Sequence, residues 1–134
     1  MSEFERTYSG ARWETEVGYC RGLRAGEFIF ITGTAPMNED GTVHAPGDAG
    51  RQTTRCFEII EQALHDLGAA KRDVIVVRLY VTDISRAAEI GEAHRRFFDG
   101  HHPTTTMVGV SALVDPAMLI EIEVQAHHPA GRGG

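Results

Sequence analysis

The sequence predicts an α+β protein in which two helices cover one face of a mixed β-sheet. Two stretches of the chain carry apolar residues at three- and four-residue steps, as amphipathic helices do. Five short segments rich in β-branched and aromatic residues precede, separate and follow these helices, which gives the order β-β-α-β-α-β-β. Because two amphipathic helices can cover only one face of a sheet, the other face is left open in a single chain.

The first half of the chain contains a predicted hairpin followed by a long helix. Residues 17–23 and 28–34 are two apolar segments separated by a short turn that contains Gly26. After two loops rich in Asn, Asp, Gly and Pro, Asp48 stands where a helix N-cap is expected. The apolar positions of this helix recur as far as a predicted stop at Gly68.

The second half contains a predicted strand, a second helix and two closing strands. The strand covers residues 74–82, and the helix runs from about 84 to 98 with Asp83 or Ser85 as its cap. The inner face of this helix is predicted to consist of Ile84, Ala87, Ile90, His94, Phe97 and Phe98. The closing strands are expected at about 106–111 and 119–126.

Successive side chains of a strand point to opposite faces, so the strands predict a core face and an open face. The core-facing residues are predicted to be Ile75, Val77, Leu79 and Val81 on the middle strand and Ile120, Ile122 and Val124 on the last strand. The open face then carries Val74, Val76, Arg78, Tyr80 and Thr82 together with Leu119, Glu121, Glu123 and Gln125. Because such a half-apolar, half-charged face usually contacts another chain, we expect an oligomer with sites at its subunit boundaries.

Length and composition favour one ordinary globular domain. The 134 residues fit a single domain, with a core at about 10–127 and a flexible tail at 128–134. No apolar run reaches the roughly 18 residues of a membrane span. The N-terminus lacks the apolar region of a secretory signal, so no membrane association and a cytoplasmic location are expected.

Other classes of protein are disfavoured by residue type and spacing. Cys20 and Cys56 are too few for a disulfide framework and lack the spacing of a zinc site. The histidine pairs 101–102 and 127–128 are adjacent in sequence, which does not direct two ligands to one ion, so no metal or cofactor is expected. A formal charge of −6 gives no electrostatic drive toward nucleic acid.

Three segments, taken in order, carry a resemblance to a known family. They read ETEVGYCRGLRAGEFIFITGTAP, VIVVRLYVTDI and PTTTMVGVSALVDPAMLIEIEVQA. Over about residues 10–127 the chain resembles the Rid family, also called the YjgF or reactive-intermediate deaminase family. The resemblance implies a chorismate-mutase-like fold and a homotrimer, in which the sheets form a central barrel and small molecules bind in three clefts between subunits.

The resemblance also implies a reaction and a set of site residues. The best-studied Rid proteins hydrolyse reactive enamines and imines, such as 2-aminoacrylate, to ketoacids and ammonia. By position, Glu121 matches the glutamate associated with the attacking water. Tyr19 matches a tyrosine that lines the cleft, and Thr32 and Gly33 match a serine and a glycine that contact the ligand.

At two positions the chain departs from the deaminating members. Their closing segment has an arginine that binds the substrate carboxylate and often a cysteine two residues later, where this chain has Thr105 and Met107. The hydroxyl of a threonine cannot replace the two-pronged contact of a guanidinium group with a carboxylate. Such a charge-assisted contact contributes about 1.5 to 3 kcal/mol, so its loss predicts that a carboxylate binds more weakly by roughly one to two orders of magnitude. Either the substrate is not a simple 2-imino acid or another cation enters the cleft, with Arg78 as the first candidate and Arg12 and Arg21 as weaker ones.

Structural roles and three functions stay open at this point. Glu121 and Glu123 also fit a solvated pair without chemistry, Tyr19 a packing residue, and Arg78 an ion pair between subunits. The functions are an enamine or imine hydrolase, a non-catalytic ligand-binding or stress-related trimer, and an endoribonuclease. Net charge and the lack of a basic, aromatic groove in the sequence argue against the endoribonuclease.

Overall fold

The computed structural model describes residues 4–129. Its strands are β1 (Glu5–Thr7), β2 (Gly22–Ala25), β3 (Phe28–Thr34), β4 (Val74–Val81), β5 (Thr104–Gly109) and β6 (Ile120–His127). The helices are α1 (Ala49–Asp66) and α2 (Ala87–Phe98), and short helical turns occur at Glu14–Gly18, Lys71–Asp73 and Ile84–Arg86. The strands form one sheet in the order β1-β2-β3-β6-β4-β5.

The sheet is mixed because α2 connects two parallel strands. β4 and β5 run parallel, as a helical crossover requires, and the other neighbouring pairs are antiparallel. The two helices contact each other and pack on the same face of the sheet. This arrangement confirms the predicted α+β architecture, with a mixed sheet covered on one face by two helices.

The core lies between the helices and the covered face of the sheet. Along β6, the residues Ile120, Ile122, Val124 and Ala126 are fully buried, whereas the residues between them are only partly buried. Phe57, Ile60 and Leu64 of α1 fill the space above them. The alternation predicted for the last strand is therefore confirmed, and it directs Glu121 and Glu123 to the open face.

The ends of α1 follow the residues that predicted them. The side chain of Asp48 accepts a hydrogen bond from the Arg51 amide at 3.0 Å, as an N-cap does. Gly68 follows the helix with a φ of +85°, a backbone conformation that glycine adopts without strain. Both predicted boundaries of α1 are confirmed.

The N-terminal segment differs from the prediction. Residues 17–21 are not part of a strand, because Glu14–Gly18 forms a single π-helical turn and β2 begins only at Gly22. The short strand β1, which pairs with β2, was not predicted at all. The turn is held by the buried side chain of Glu14, which accepts hydrogen bonds from the amides of Ser9 and Gly10.

Three further details of the prediction differ from the structure, namely the faces of Val74 and Ile75, the exposure of Ile84 and the start of β5. A register shift between Val74 and Val76 buries Val74 and leaves Ile75 40% exposed, so the predicted faces of these two residues were wrong. Asp83 is the predicted cap and accepts from the Ser85 amide, but Ile84 in the following turn is 55% exposed and does not belong to the inner face. β5 begins at Thr104, two residues before the predicted start.

The structure also bears on the expectations about membrane spans and about the C-terminal residues. No helix within residues 4–129 is long and apolar enough to cross a lipid bilayer. Of the predicted tail, residues 130–134 lie outside the described residues. His128 is hydrogen-bonded, since its amide donates to the Glu27 carbonyl and its carbonyl accepts from Arg24.

Candidate functional site

The carboxylate of Glu121 lies against the backbone of Gly33, at an irregularity of the sheet. The register between β3 and β6 shifts between Ile31 and Thr34, and Gly33 falls within that shift. A Cβ atom at Gly33 would lie 2.4 Å from Glu121 Oε2, closer than any real contact. The absence of a side chain at Gly33 therefore makes room for the Glu121 carboxylate.

Glu121 is a half-buried acid without a hydrogen-bond partner among residues 4–129. Burial raises its pKa above the ordinary value, Arg21 opposes that rise, and Glu123 adds to it. A carboxylate in this state keeps all its lone pairs available for a water molecule or a ligand. It also exchanges a proton closer to neutral pH than an exposed glutamate does.

Arg21 is buried beside this site and is bonded to protein groups. Its Nε donates to Glu14 Oε2 at 2.9 Å, and its Nη1 donates to the Gly33 carbonyl at 2.9 Å and to Thr34 Oγ1 at 3.3 Å. The side chains of Arg21 and Glu14 are only 6% and 2% exposed. The guanidinium is thus committed to the protein, which removes Arg21 from the candidates for ligand binding.

The surroundings of Glu14, the partner of Arg21, lower its pKa and favour the ionised form. Burial by itself would raise the pKa of Glu14, but hydrogen bonds from Ser9 and the charge of Arg21 outweigh burial and lower that pKa. The pair consequently ties the turn at Glu14–Gly18 to the sheet irregularity at Gly33. Sequence reasoning missed this role, because both residues lay in or beside a segment predicted to be a strand.

Tyr19 and Thr32 line one groove on the open face. The groove has a volume of about 730 Å³, and Phe30, Glu123 and Gln125 also contribute to its wall. The Tyr19 ring lies 5.6 Å from the Arg21 guanidinium, at a cation–π distance that holds the ring in place. The structure therefore brings Tyr19 and Thr32 together on the same side of the sheet as Glu121.

Arg78 lies on the open face, as strand parity predicted, and is directed toward Glu123. The distance from Arg78 Nη1 to Glu123 Oε1 is 3.9 Å, and the Tyr80 hydroxyl donates to the same oxygen at 2.8 Å. The hydrogen bond to Glu123 and burial raise the pKa of Tyr80. The Arg78 side chain is 42% exposed, so its ion pair leaves part of the guanidinium open to solvent.

Thr105 and Met107 lie on the opposite side of the sheet from Glu121. Thr105 pairs in register with Val77, whose side chain is in the core, and its Oγ1 lies 3.0 Å from His94 Nε2 of α2. Met107 is partly buried against the same core. The sequence analysis expected all the predicted site residues in one cleft. Within a single chain they instead form two groups on opposite faces of the sheet.

His94 is a site neighbour that sequence reasoning assigned only to the inner face of a helix. Its ring packs against Phe57 and Phe98, and its Nε2 reaches the hydroxyl of Thr105. The helical spacing placed His94 toward the sheet correctly, but nothing in the sequence paired it with Thr105. Within residues 4–129 no three His, Cys, Asp or Glu side chains are grouped to hold a metal ion.

The fold and the similarity to known proteins define the family to which the chain belongs. A six-stranded mixed sheet covered on one face by two helices is the chorismate-mutase-like α+β architecture of YjgF proteins. Residues 9–128 match the family described as Endoribonuclease L-PSP. The chain therefore belongs to the YjgF/Rid family, which confirms the resemblance noted from its sequence.

Individual relatives match most of the chain. It is 39% identical to Rv2704 of Mycobacterium tuberculosis, a member of the YjgF/YER057c/UK114 family, with a TM-score of 0.83 over 92% of this chain and 98% of that one. It is 30% identical to an uncharacterised protein of Streptomyces coelicolor over 93% of this chain and 92% of that protein. Escherichia coli TdcF, whose structure contains bound serine, is 28% identical with a TM-score of 0.76 over 82% of this chain and 87% of that one.

Proposed function

We propose that this chain hydrolyses a reactive enamine, imine or related small metabolite in clefts between the subunits of a cytoplasmic homotrimer. We propose further that its substrate does not depend on a carboxylate clamp at position 105. The observation that carries the proposal is the carboxylate of Glu121, which is half-buried, has no hydrogen-bond partner within residues 4–129 and has a raised pKa. A carboxylate of this kind suits a general base that positions a water molecule.

The proposed reaction consumes one water molecule and releases one ammonia. Glu121 takes a proton from water while the water oxygen forms a bond to the C=N carbon, which moves an electron pair to nitrogen. The carboxyl group of Glu121 then returns the proton to that nitrogen. Glu121 then takes the hydroxyl proton of the resulting carbinolamine and delivers it to the amino nitrogen. The C–N bond breaks with its electron pair on nitrogen, and a carbonyl compound and ammonia leave. An enamine first takes a proton on carbon to become the iminium form.

The other open-face residues have binding roles in this proposal. The hydroxyl groups of Tyr19 and Thr32 and the backbone of Gly33 orient the substrate beside Glu121. Arg78, with its partly exposed guanidinium, is the first candidate to contact any acidic group of the substrate. Thr105 and Met107 are on the other side of the sheet, so they reach the same cleft only as residues of a neighbouring subunit in a trimer.

A binding protein without chemistry is the second candidate, and Thr105 favours it. The family's known reaction uses an arginine at this position, and a hydroxyl cannot form the bidentate contact with a carboxylate. The bound serine of E. coli TdcF supports a small polar ligand for relatives of this chain. If the chain binds small ligands but accelerates no C=N hydrolysis, this second candidate replaces the first.

Ribonuclease activity is disfavoured despite the name attached to the family. The formal charge of the chain is −6, and Glu123 engages Arg78 on the open face. Binding to RNA relies on Lys and Arg side chains that neutralise phosphates. Incubation with a labelled single-stranded RNA is expected to leave the RNA intact, and cleavage that disappears in a Glu121→Gln variant would contradict this expectation.

The first experiment measures hydrolysis of 2-aminoacrylate, generated from serine by a dehydratase, through the rate of ketoacid release. The wild type is expected to give little acceleration, because Thr105 cannot hold the carboxylate. Thr105→Arg is expected to gain activity if Glu121 and its neighbours remain in place. If the wild type hydrolyses 2-aminoacrylate as fast as a relative that carries the arginine, the proposal that Thr105 prevents carboxylate binding is wrong.

The second experiment uses an imine without a carboxylate, generated from a primary amine by an amine oxidase. The wild type is expected to shorten the lifetime of this imine. Glu121→Gln should lower that rate by about a hundredfold, which is the usual contribution of a positioned base. Glu58→Gln, which changes an exposed carboxylate on α1, is the matched control and should retain full activity. Equal rates for Glu121→Gln and the wild type would contradict the hydrolase.

A further inference from the structure

The hydroxyl group of Thr105 has hydrogen-bond partners within the chain. Its Oγ1 lies 3.0 Å from His94 Nε2 and 3.4 Å from the Pro103 carbonyl oxygen. If His94 Nε2 lacks a proton, the hydroxyl donates to it. If His94 Nε2 carries a proton and donates it, the hydroxyl donates to the Pro103 carbonyl instead. The hydroxyl hydrogen is engaged at 3.0 Å in the first arrangement and over a longer contact of 3.4 Å in the second, and a lone pair of Oγ1 stays open in both.

The ring of His94 is held so that this arrangement persists. It packs against both Phe57 and Phe98, with ring centroids 5.9 Å and 4.8 Å away. Burial lowers the pKa of His94, which favours the neutral ring. A neutral ring cannot supply the positive charge that the missing arginine would have supplied.

Thr105 itself is accessible, on the edge strand of the sheet. Its side chain is exposed, and β5 has only one neighbouring strand, β4. An open lone pair on an exposed oxygen is available to an N–H group from outside the chain. A carboxylate would bring its own lone pairs against that oxygen and would gain nothing.

We propose that Thr105, oriented by His94, is a hydrogen-bond acceptor for the ligand, and that this position selects an N–H donor such as an amide, amine or iminium group. The polarity is the reverse of an arginine, which presents only donors. The proposal rests on the proposed function in one respect, namely that position 105 faces the ligand cleft. It then names the substrate class, which is a C=N compound that carries an N–H group in place of a carboxylate.

Three matched ligands test the polarity without turnover, because none contains a C=N bond. They are 2-oxobutanamide, 2-oxobutanoate and methyl 2-oxobutanoate, which offer an N–H donor, a charged acceptor and an uncharged acceptor. Isothermal titration should show the amide binding about tenfold more tightly than the other two. If the acid binds as tightly as the amide, or if none of the three binds, the proposal is overturned. An ester that equals the amide also overturns it, since charge alone would then explain the preference.

Variants assign the preference to the two residues. Thr105→Val keeps the shape of the side chain and should abolish the preference for the amide, whereas Thr105→Arg should reverse it in favour of the acid. His94→Phe keeps an aromatic ring against Phe57 and Phe98, frees the hydroxyl hydrogen of Thr105, and should reduce the preference at least threefold. Thr54→Val, on the exposed side of α1, is the control and should leave it unchanged. A preference that survives Thr105→Val would overturn the proposal.

The outcomes separate this inference from the hydrolase. Binding is measured on the assembled wild-type protein and does not require Glu121 to act as a base. If the amide preference holds and no imine is hydrolysed, the hydrolase fails and the polarity of Thr105 stands. If imines are hydrolysed but the acid binds more tightly than the amide, the polarity fails and the hydrolase stands.

Discussion

Glu121 occupies the space where a side chain at Gly33 would begin. The carboxylate oxygen Oε2 would lie 2.4 Å from a Cβ at that position, and the carboxyl carbon would lie 3.0 Å from it. The contact involves the far end of a flexible side chain, so the backbone of Gly33 can accept a methyl group once Glu121 moves. The absence of a side chain at Gly33 thus leaves the space that the Glu121 carboxylate occupies.

Gly33→Ala should displace the Glu121 carboxylate while leaving the protein folded. We expect the free energy of unfolding to fall by less than about 1 kcal/mol, and the rate of imine hydrolysis to fall by about tenfold or more because the base is misplaced. Gly91→Ala is the control, since a Cβ at Gly91 has nothing within 4 Å and alanine favours the helix. In a Glu121→Gln background, Gly33→Ala should have no further effect on the rate. An undiminished rate for the single variant would contradict the role of Gly33.

Glu121→Gln should stabilise the protein increasingly as the pH rises. The pKa of Glu121 in the folded protein is above its ordinary value of 4.5, mainly because of burial. The folded state therefore holds this proton to a higher pH than the unfolded state does. The contribution of Glu121 to stability is greatest below about pH 4.5, and it falls as the pH rises through the folded pKa. Glutamine stays neutral throughout.

The measurement is the difference in Tm between Glu121→Gln and the wild type, taken from about pH 4 to about pH 8. The difference should move in favour of the variant as the pH increases. Glu58→Gln, on the exposed side of α1, is followed in parallel to account for general effects of surface charge. A difference that stays constant or moves toward the wild type would show that burial does not raise the pKa of Glu121.

Arg21 and Arg78 should differ strongly in their contribution to stability. Arg21→Met leaves the ionised and buried Glu14 without its cation and should cost about 3 to 5 kcal/mol. Arg78→Met removes an ion pair of 3.9 Å between partly exposed groups and should cost about 1 kcal/mol or less. Urea unfolding of both variants checks this contrast. Similar losses would mean that the Arg21–Glu14 pair is not the anchor of the turn at Glu14–Gly18.

The regular parts of the fold could be predicted because each rests on a local pattern. Alternation along β6 fixed the direction of Glu121, and the position of Asp48 before an amphipathic stretch fixed the start of α1. These signals depend on neighbouring residues and on burial alone. Arg78 was assigned to the open face by the same parity argument, and that assignment holds.

The irregular parts depended on partners distant in sequence. The turn at Glu14–Gly18 exists because Glu14 binds Ser9 on one side and Arg21 on the other, a relationship that no periodic pattern encodes. The face of Thr105 depends on β5 starting at Thr104 and pairing in register with β4. A predicted start two residues later left Thr105 outside the strand, so its contact with His94 could not be foreseen.

Gln52 should be required to position the segment that leads into β6. This fully buried side chain of α1 donates from Nε2 to the Ala117 carbonyl at 2.9 Å and accepts from the Leu119 amide at 2.8 Å. Gln52→Leu has a similar volume but leaves both backbone groups without their partner. Each unsatisfied group costs about 1 to 3 kcal/mol, so the loss of both should lower the free energy of unfolding by about 2 to 6 kcal/mol.

Hydrogen exchange identifies where that loss arises. In Gln52→Leu the Leu119 amide should exchange faster than in the wild type, while amides in the middle of α1 change only as much as global stability does. Gln62→Leu is the matched control, because Gln62 is exposed on the same helix and, among residues 4–129, its side chain bonds only to Asp66. Its stability should stay within about 0.5 kcal/mol of the wild type. If Leu119 exchange is unchanged in Gln52→Leu, the contacts of Gln52 do not hold the start of β6, and the pairing of β6 with β3 and β4 positions Glu121 without them.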